Sequence, residues 1–169
     1  PLSWLPRFIE RFGRPERTDR HQTLRLIAAL LERGALESAP PIKRARITDS
    51  LYQIVQGRRR RFASGAIHAL TVSRDAGATE HLYAALSGRD ASLRAQILRG
   101  LRNKRGERTR AIVLEILQSE ETALVQAAGL FALGALGQRS DRRLVEHALS
   151  HGPLRAREAA SHALIEFAE

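Results

Sequence analysis

An internal repeat with a period of about 30 residues is the feature that most restricts how this chain can fold. Three segments align without gaps: 93–101 (LRAQILRGL), 125–133 (VQAAGLFAL) and 156–164 (AREAASHAL). A fourth segment, 62–70 (FASGAIHAL), precedes them at the same spacing. Their apolar residues recur at the spacing of one helix face, and a repeat of this length is typical of stacked helical hairpins.

A second helix follows the first in each of the three complete repeats. Leu86, Leu117 and Leu149 take the same place in these second helices, one repeat period apart. Glycine-containing turn signals lie between the helices, and Gly at a helix end adopts the left-handed cap conformation at little cost. The sequence therefore predicts antiparallel helix pairs with these approximate bounds: 58–88, 90–119, 121–151 and, in part, 153–169.

The segment 125–137 (VQAAGLFALGALG) resembles the HEAT-like repeat of bacterial HEAT proteins and phycobilin lyases. That repeat has the pattern VRxxAAxALGxLG; Gln126 replaces its usual Arg, whereas Arg94 and Arg157 keep it. The resemblance covers about 58–169. It implies first helices on a convex side and second helices on a concave side, and it implies nothing about chemistry. We therefore expect an all-α protein, a right-handed α-solenoid of about five antiparallel helix pairs.

Residues 18–57 look helical but fit the repeat poorly. A cap at Thr18 or Asp19 would begin one helix, which Gly34 would end, and a second helix would run from about Pro41 to Gln56. We predict that these residues form an atypical capping hairpin, because a terminal repeat must offer one face to its neighbour and a polar face to water.

The N-terminal residues 1–17 form an amphipathic basic segment. Its apolar face contains the candidate membrane contacts Trp4, Leu5, Phe8 and Phe12, and its Arg residues fall largely elsewhere. This composition is typical of interfacial helices, so 1–14 would contact an anionic membrane or follow a transmembrane helix upstream of Pro1. The alternative is packing against the first hairpin. We expect a cytoplasmic location, or the inner face of a membrane if this segment anchors the chain.

The net charge is +10, and almost all of the basic residues are Arg. Residues 1–76 hold fifteen basic and seven acidic side chains, so the positive charge belongs mainly to the N-terminal half. The run Arg58, Arg59, Arg60 and Arg61 is the strongest local charge feature. At the start of a helix it would bind an anion or an acidic partner, since free backbone donors and Arg side chains point the same way. Alternatively, Arg58–Arg60 end the preceding helix, where the helix dipole favours cations.

The second helices supply a ladder of side chains for the concave face. The candidate partner contacts are Tyr83, Arg110, Leu114, Arg142 and Arg143. The ladder mixes charges and apolar groups, whereas a groove that follows a nucleic-acid backbone should be more uniformly basic. An aromatic ring and an exposed Leu suit a protein surface better. The alternative is an ordinary solvated face.

No catalytic or metal-binding constellation stands out in the sequence. Cys is absent, which excludes thiol catalysis and zinc–thiolate sites. His147 and His151 have the i, i+4 spacing of two ligands on one helix face, but Gly152 and Pro153 end that helix and no third ligand is evident. We expect no enzymatic activity, no cofactor and no metal.

The repeat alignment separates two other histidines. His68 and His162 fill the same position of their repeats, which holds Arg99 and Phe131 in the repeats between them. These histidines therefore lie two repeats or more apart and do not form one site. We expect each of them to be a surface or groove histidine.

The function we expect is that of a non-catalytic scaffold or adaptor. It would bind another protein with an acidic surface through the concave ladder and the basic N-terminal half. The alternative is nucleic-acid binding, as in HEAT-like DNA glycosylases; the N-terminal charge favours it, but eight aromatic residues leave few for base stacking. A third reading, a chromophore-lyase subunit, rests on repeat similarity alone.

Overall fold

Helices make up all the regular structure in the part of the chain that the computed structural model describes, which is residues 20–34, 37, 39–57, 60–119 and 122–168. Nine α-helices and one short 3₁₀ turn lie in these ranges, and no strand does. The prediction of an all-α fold is therefore confirmed. The predicted amphipathic segment 1–17, with Trp4, Leu5, Phe8 and Phe12, lies outside the described residues.

The chain divides into two units, and the first of them ends at Ser87. Its four described helices have these bounds: α1 Arg20–Glu32, α2 Pro41–Gln56, α3 Arg60–Val72 and α4 Ala76–Ala85. α1 packs against α3, α2 packs against both α3 and α4, and α3 also contacts α4. The fully buried side chains between them are aliphatic: Leu24, Ile27, Leu31, Leu51, Ile67, Leu70 and Leu82.

Local sequence signals set the ends of these helices. α2 begins at Pro41, and Pro suits the first helical turn because no backbone donor is needed there. Gly34 follows α1 with φ +77°, the left-handed conformation that Gly adopts at lowest cost. α4 begins after Asp75, whose carboxylate accepts a hydrogen bond from the backbone nitrogen of Gly77 at 2.9 Å. Helices α1 and α2 thus lie within 18–57, the segment for which the sequence predicts two helices.

The second unit begins at Gly88 and is organised around one apolar helix. Its elements have these bounds: α5 Ala91–Leu101, α6 Glu107–Ser119, α7 Ala123–Leu136, the 3₁₀ turn Arg139–Asp141, α8 Arg142–His151 and α9 Leu154–Glu166. α7 packs against α5, α6 and α9, and α9 also packs against α8. Every residue of α7 from Ala127 to Leu130 is buried, because three helices cover this helix.

Small residues let α7 approach its neighbours closely. A Cβ atom at Gly134 would lie 2.9 Å from the Cα atom of Ala163 in α9, closer than packed helices allow. A Cβ atom at Gly129 would lie 2.8 Å from Cδ2 of Leu117 in α6. The close approach of α7 to α9 therefore requires a glycine at Gly134, just after the repeated segment, whereas at Gly129 the clash is with the end of a flexible side chain.

Candidate functional site

An Arg–Asp ion pair occurs in both units at the period of the sequence repeat. In the first unit, Nε of Arg44 on α2 lies 3.8 Å from Oδ2 of Asp75, the residue before α4. In the second unit, Nε of Arg110 on α6 donates to Oδ2 of Asp141, the residue before α8, at 2.7 Å. Each Arg is the fourth residue of its helix, and each pair joins two second helices of the repeat.

Arg110 is a predicted partner contact, and its guanidinium is directed to its own chain. Nη2 donates to the other carboxylate oxygen of Asp141 at 2.5 Å, and Nη1 donates to Oε1 of Glu107 at 2.6 Å. The hydrogen bonds from Arg110 hold the pKa of the Asp141 carboxyl below its ordinary value, against the opposing effect of burial. Asp141 in turn raises the pKa of the Arg110 guanidinium. The primary role of Arg110 in this structure is therefore to join helices.

The other predicted ladder residues are divided between the two units. Nε of Arg142 donates to Oε1 of Glu146 at 2.8 Å, and both side chains are about half exposed. Arg143 beside it is exposed, and Leu114 on α6 is half-buried. Tyr83 on α4 is half-buried in the first unit. The structure thus brings Arg142 and Arg143 together at the start of α8.

The basic run Arg58–Arg61 falls at a gap in the described ranges. Arg58 and Arg59 lie outside them, and only the backbone of Arg60 and Arg61 is described. α2 ends at Gln56 and α3 begins at Arg60, so Arg60 belongs to the start of α3 rather than to the end of α2. An anion site at this run stays a prediction.

A groove of about 370 Å³ lies between α2 and α4 in the first unit, and we call it the α2–α4 groove. Its lining is polar and mixed in charge: Pro41, Arg44, Ala45, Thr48, Asp49, Asp75, Gly77, Glu80 and His81. The three carboxylates of Asp49, Asp75 and Glu80 outnumber the single guanidinium. The lining of the groove therefore has an excess of acidic side chains, although the whole chain has a net positive charge.

His81 is held in the α2–α4 groove by two side chains of α2. Its Nε2 lies 2.8 Å from Oδ1 of Asp49, and its ring stacks on Tyr52 with centroids 4.6 Å apart. The Tyr52 hydroxyl accepts a hydrogen bond from Nε2 of Gln56 at 2.6 Å. These contacts fix the wall of the groove before a ligand arrives. The sequence interpretation missed the pair of His81 and Asp49, although these residues lie one repeat period apart.

A second groove, of about 330 Å³, lies among the first helices of the second unit, and we call it the α5–α7–α9 groove. It is lined by Arg99, Leu124, Ala127, Phe131, Arg155, Glu158, Ala159 and His162. Arg99, Phe131 and His162 hold the same repeat position, so the packing of α7 against α5 and α9 brings them together. The shared repeat position is visible in the sequence, but it does not by itself predict that the three side chains line one groove.

The described residues hold neither a metal-ligand cluster nor a membrane-spanning helix. No group of three His, Asp or Glu side chains that could hold a metal ion occurs among them. His147 and His151 stack with ring centroids 4.5 Å apart on α8. No helix in the described ranges is long and apolar enough to cross a bilayer.

No family model, no curated protein and no solved structure matches this chain. Its function must therefore be inferred from its own residues. The strongest observations are two grooves of opposite charge. The α2–α4 groove is rich in carboxylates, whereas the α5–α7–α9 groove has two guanidinium groups, of Arg99 and Arg155, and one carboxylate, of Glu158.

Proposed function

We propose that this chain is a non-catalytic adaptor built from HEAT-like helical repeats, and that it binds a segment of another protein in the α2–α4 groove. The observation that carries the proposal is the fixed wall of this groove, where Asp49 and Tyr52 hold His81. A preorganised site loses less conformational entropy on binding than a mobile one. Ile42, at the start of α2, is 84% exposed and offers an apolar contact beside the polar lining.

Helix contacts within each unit support the HEAT-like part of the proposal. α1 packs against α3 and α2 against α4 in the first unit, and α7 packs against α5 and α9 in the second. The pairs Arg44–Asp75 and Arg110–Asp141 recur at the repeat period. On this basis we propose a right-handed α-solenoid of about five helix pairs. An experimental structure with left-handed or unstacked hairpins would contradict it.

The charge of the α2–α4 groove indicates which segment it accepts. Asp75 pairs with Arg44 and Asp49 contacts His81, but the lining still holds more carboxylates than guanidinium groups, so a segment with Lys or Arg next to an apolar side chain fits best. A nucleic-acid strand fits poorly, since its phosphates would approach Asp49, Asp75 and Glu80 together. An acidic partner surface, expected from the net charge, would have to bind elsewhere on the chain.

Selection from a library of random displayed peptides tests the proposal. We expect enriched sequences that share a Lys or Arg near an apolar residue. Asp49→Asn combined with Glu80→Gln removes two charges and weakens the contact that holds His81, so it should weaken the binding of a selected peptide about tenfold. Glu115→Gln is the matched control, because Glu115 is an exposed carboxylate on α6 in the other unit. No enrichment, or equal affinities for both variants, would contradict the proposal.

Nucleic-acid binding is the alternative that the net charge of +10 supports. Titration with generic single-stranded and duplex DNA tests it at low salt, where phosphate contacts are strongest. Tight binding that falls steeply as salt rises would favour this alternative over the adaptor. Absence of binding at low salt would eliminate it.

A further inference from the structure

The α5–α7–α9 groove carries two guanidinium groups, of Arg99 and Arg155, that no other described residue neutralises by an ion pair. Arg99, Arg155 and His162 are exposed, and none of them has a hydrogen-bond or ion-pair partner among the described residues. By contrast, Arg110 and Arg142 are held by carboxylates of their own chain. The guanidinium donors of Arg99 and Arg155 are therefore available to a ligand.

The floor between these cations is apolar. Leu124 and Phe131 line it, together with two alanines. The guanidinium carbon of Arg102 lies 4.5 Å from the centroid of the Phe131 ring, and Nη2 of Arg102 lies 2.7 Å from Oε1 of Glu166. One face of the Phe131 ring is thus covered by an anchored cation. That face does not offer a free platform for base stacking.

We propose that the α5–α7–α9 groove binds a short acidic segment of a partner protein, with carboxylates at Arg99 and Arg155 and an apolar side chain against Phe131 and Leu124. A planar guanidinium matches a carboxylate through two parallel hydrogen bonds. The volume of about 330 Å³ is near the lower end for ligand sites, so it accepts a few side chains rather than a folded surface.

Glu158 favours a peptide over a nucleic acid in this groove. Its carboxylate lies among the cations, where it repels a continuous row of phosphates. A peptide can place its acidic side chains apart, at Arg99 and Arg155, with an uncharged stretch facing Glu158. The site goes beyond the proposed function, because it lies in the second unit and takes the opposite charge. Loss of binding at either groove is therefore measured independently of the other.

Fluorescence anisotropy at low salt, with the full chain and a labelled peptide of Asp, Glu, Leu and Phe, measures the binding. A peptide of the same length with Lys in place of each acid and a short single-stranded DNA are the comparison ligands. We expect the acidic peptide to bind about tenfold more tightly than either of them. Tighter binding of the DNA would overturn the proposal in favour of a nucleic-acid site. Absence of binding by the acidic peptide would overturn it outright.

Single substitutions locate the binding in the groove. Arg99→Ser and Arg155→Ser should each lower the affinity for the acidic peptide about fivefold. Arg157→Ser is the control, because Arg157 is an exposed residue of α9 outside the groove lining, and it should leave this affinity unchanged. Glu158→Gln removes the carboxylate of the groove and should tighten the acidic peptide about twofold. Far-UV circular dichroism checks that each variant stays helical. Equal affinities for all three Arg variants, or weaker binding by Glu158→Gln, would overturn the proposal.

Discussion

Arg110 and Asp141 form a two-point ion pair across one repeat period, with Nε–Oδ2 at 2.7 Å and Nη2–Oδ1 at 2.5 Å. Asp141 also accepts a hydrogen bond from the backbone nitrogen of Gln138 at 2.8 Å, so one carboxylate joins α6 to the turn before α8. The side chains of Arg110 and Asp141 are only 14% and 5% exposed, and water therefore competes weakly for them. This pair therefore links the start of α6 to the turn before α8 within the second unit.

Removing the charge of Asp141 should destabilise the chain. Asp141→Asn leaves the guanidinium of Arg110 shielded from water with one hydrogen-bonded charge partner fewer, and we expect a loss of about 2 kcal/mol in the free energy of unfolding. Urea denaturation followed by circular dichroism measures it. Glu146→Gln is the control: it breaks an exposed pair with Arg142 and should cost less than about 0.5 kcal/mol. Equal losses would contradict the assignment of a structural role to Asp141.

The same carboxylate predicts how stability depends on pH. The pKa of Asp141 is lowered from its ordinary value of 3.8, chiefly by the hydrogen bond from Arg110. Its contribution is fully present above that ordinary value and is lost as the pH falls through the lower pKa of the folded state. We expect the free energy of unfolding to decrease below about pH 4, and to decrease less in Asp141→Asn. Urea denaturation across this range decides, and parallel pH profiles for the two proteins would contradict the prediction.

Adding a methyl group at Gly134 should cost more than adding one at Gly129. Gly134→Ala places Cβ against the backbone of α9, which can give only by moving a helix, and we expect a loss of about 2 kcal/mol. Gly129→Ala meets the flexible end of the Leu117 side chain, and the higher helix propensity of Ala offsets the clash by about 1 kcal/mol. Urea denaturation ranks the two variants, and the reverse order would show that α7 and α9 are less closely packed.

Substitution of Ile42 should separate binding from stability. Because Ile42 is 84% exposed, Ile42→Ser should change the free energy of unfolding by less than about 0.5 kcal/mol. It should nevertheless lower the affinity for a peptide selected for the α2–α4 groove about threefold, because an apolar contact is lost. Ile165→Ser, at a 59% exposed position of α9, is the matched control and should leave that peptide unaffected. Identical peptide affinities for both variants would remove Ile42 from the binding surface.

Periodicity in the sequence is enough to predict the helices, because burial of one face repeats every turn. Leu98, Leu101 and Leu133 are buried as their repeat positions require. The partner of Arg110 could not be predicted in this way. Asp141 follows Arg110 by one repeat period, as Asp75 follows Arg44, but spacing alone does not show that these side chains meet. The 3₁₀ turn before α8 places the Asp141 carboxylate against Arg110.

The sequence predicts the residues of the candidate grooves only in part. A shared repeat position identifies Arg99 and Phe131 as neighbours once the first helices stack. It does not reveal that Arg102 covers the Phe131 ring, because that contact depends on the register between helices. Nor does it reveal which arginines are neutralised by their own chain, since Arg142 and Arg143 look alike in sequence and only Arg142 pairs with Glu146.

The burial of α7 restricts how this region can change during evolution. Apart from Gln126, α7 has only apolar side chains and glycines, and it requires α5, α6 and α9 to cover it. A deletion that removes one of these neighbouring helices would expose the apolar surface of α7 and promote aggregation. We therefore expect duplications and deletions to include the whole second unit, 88–169, rather than to begin or end inside it.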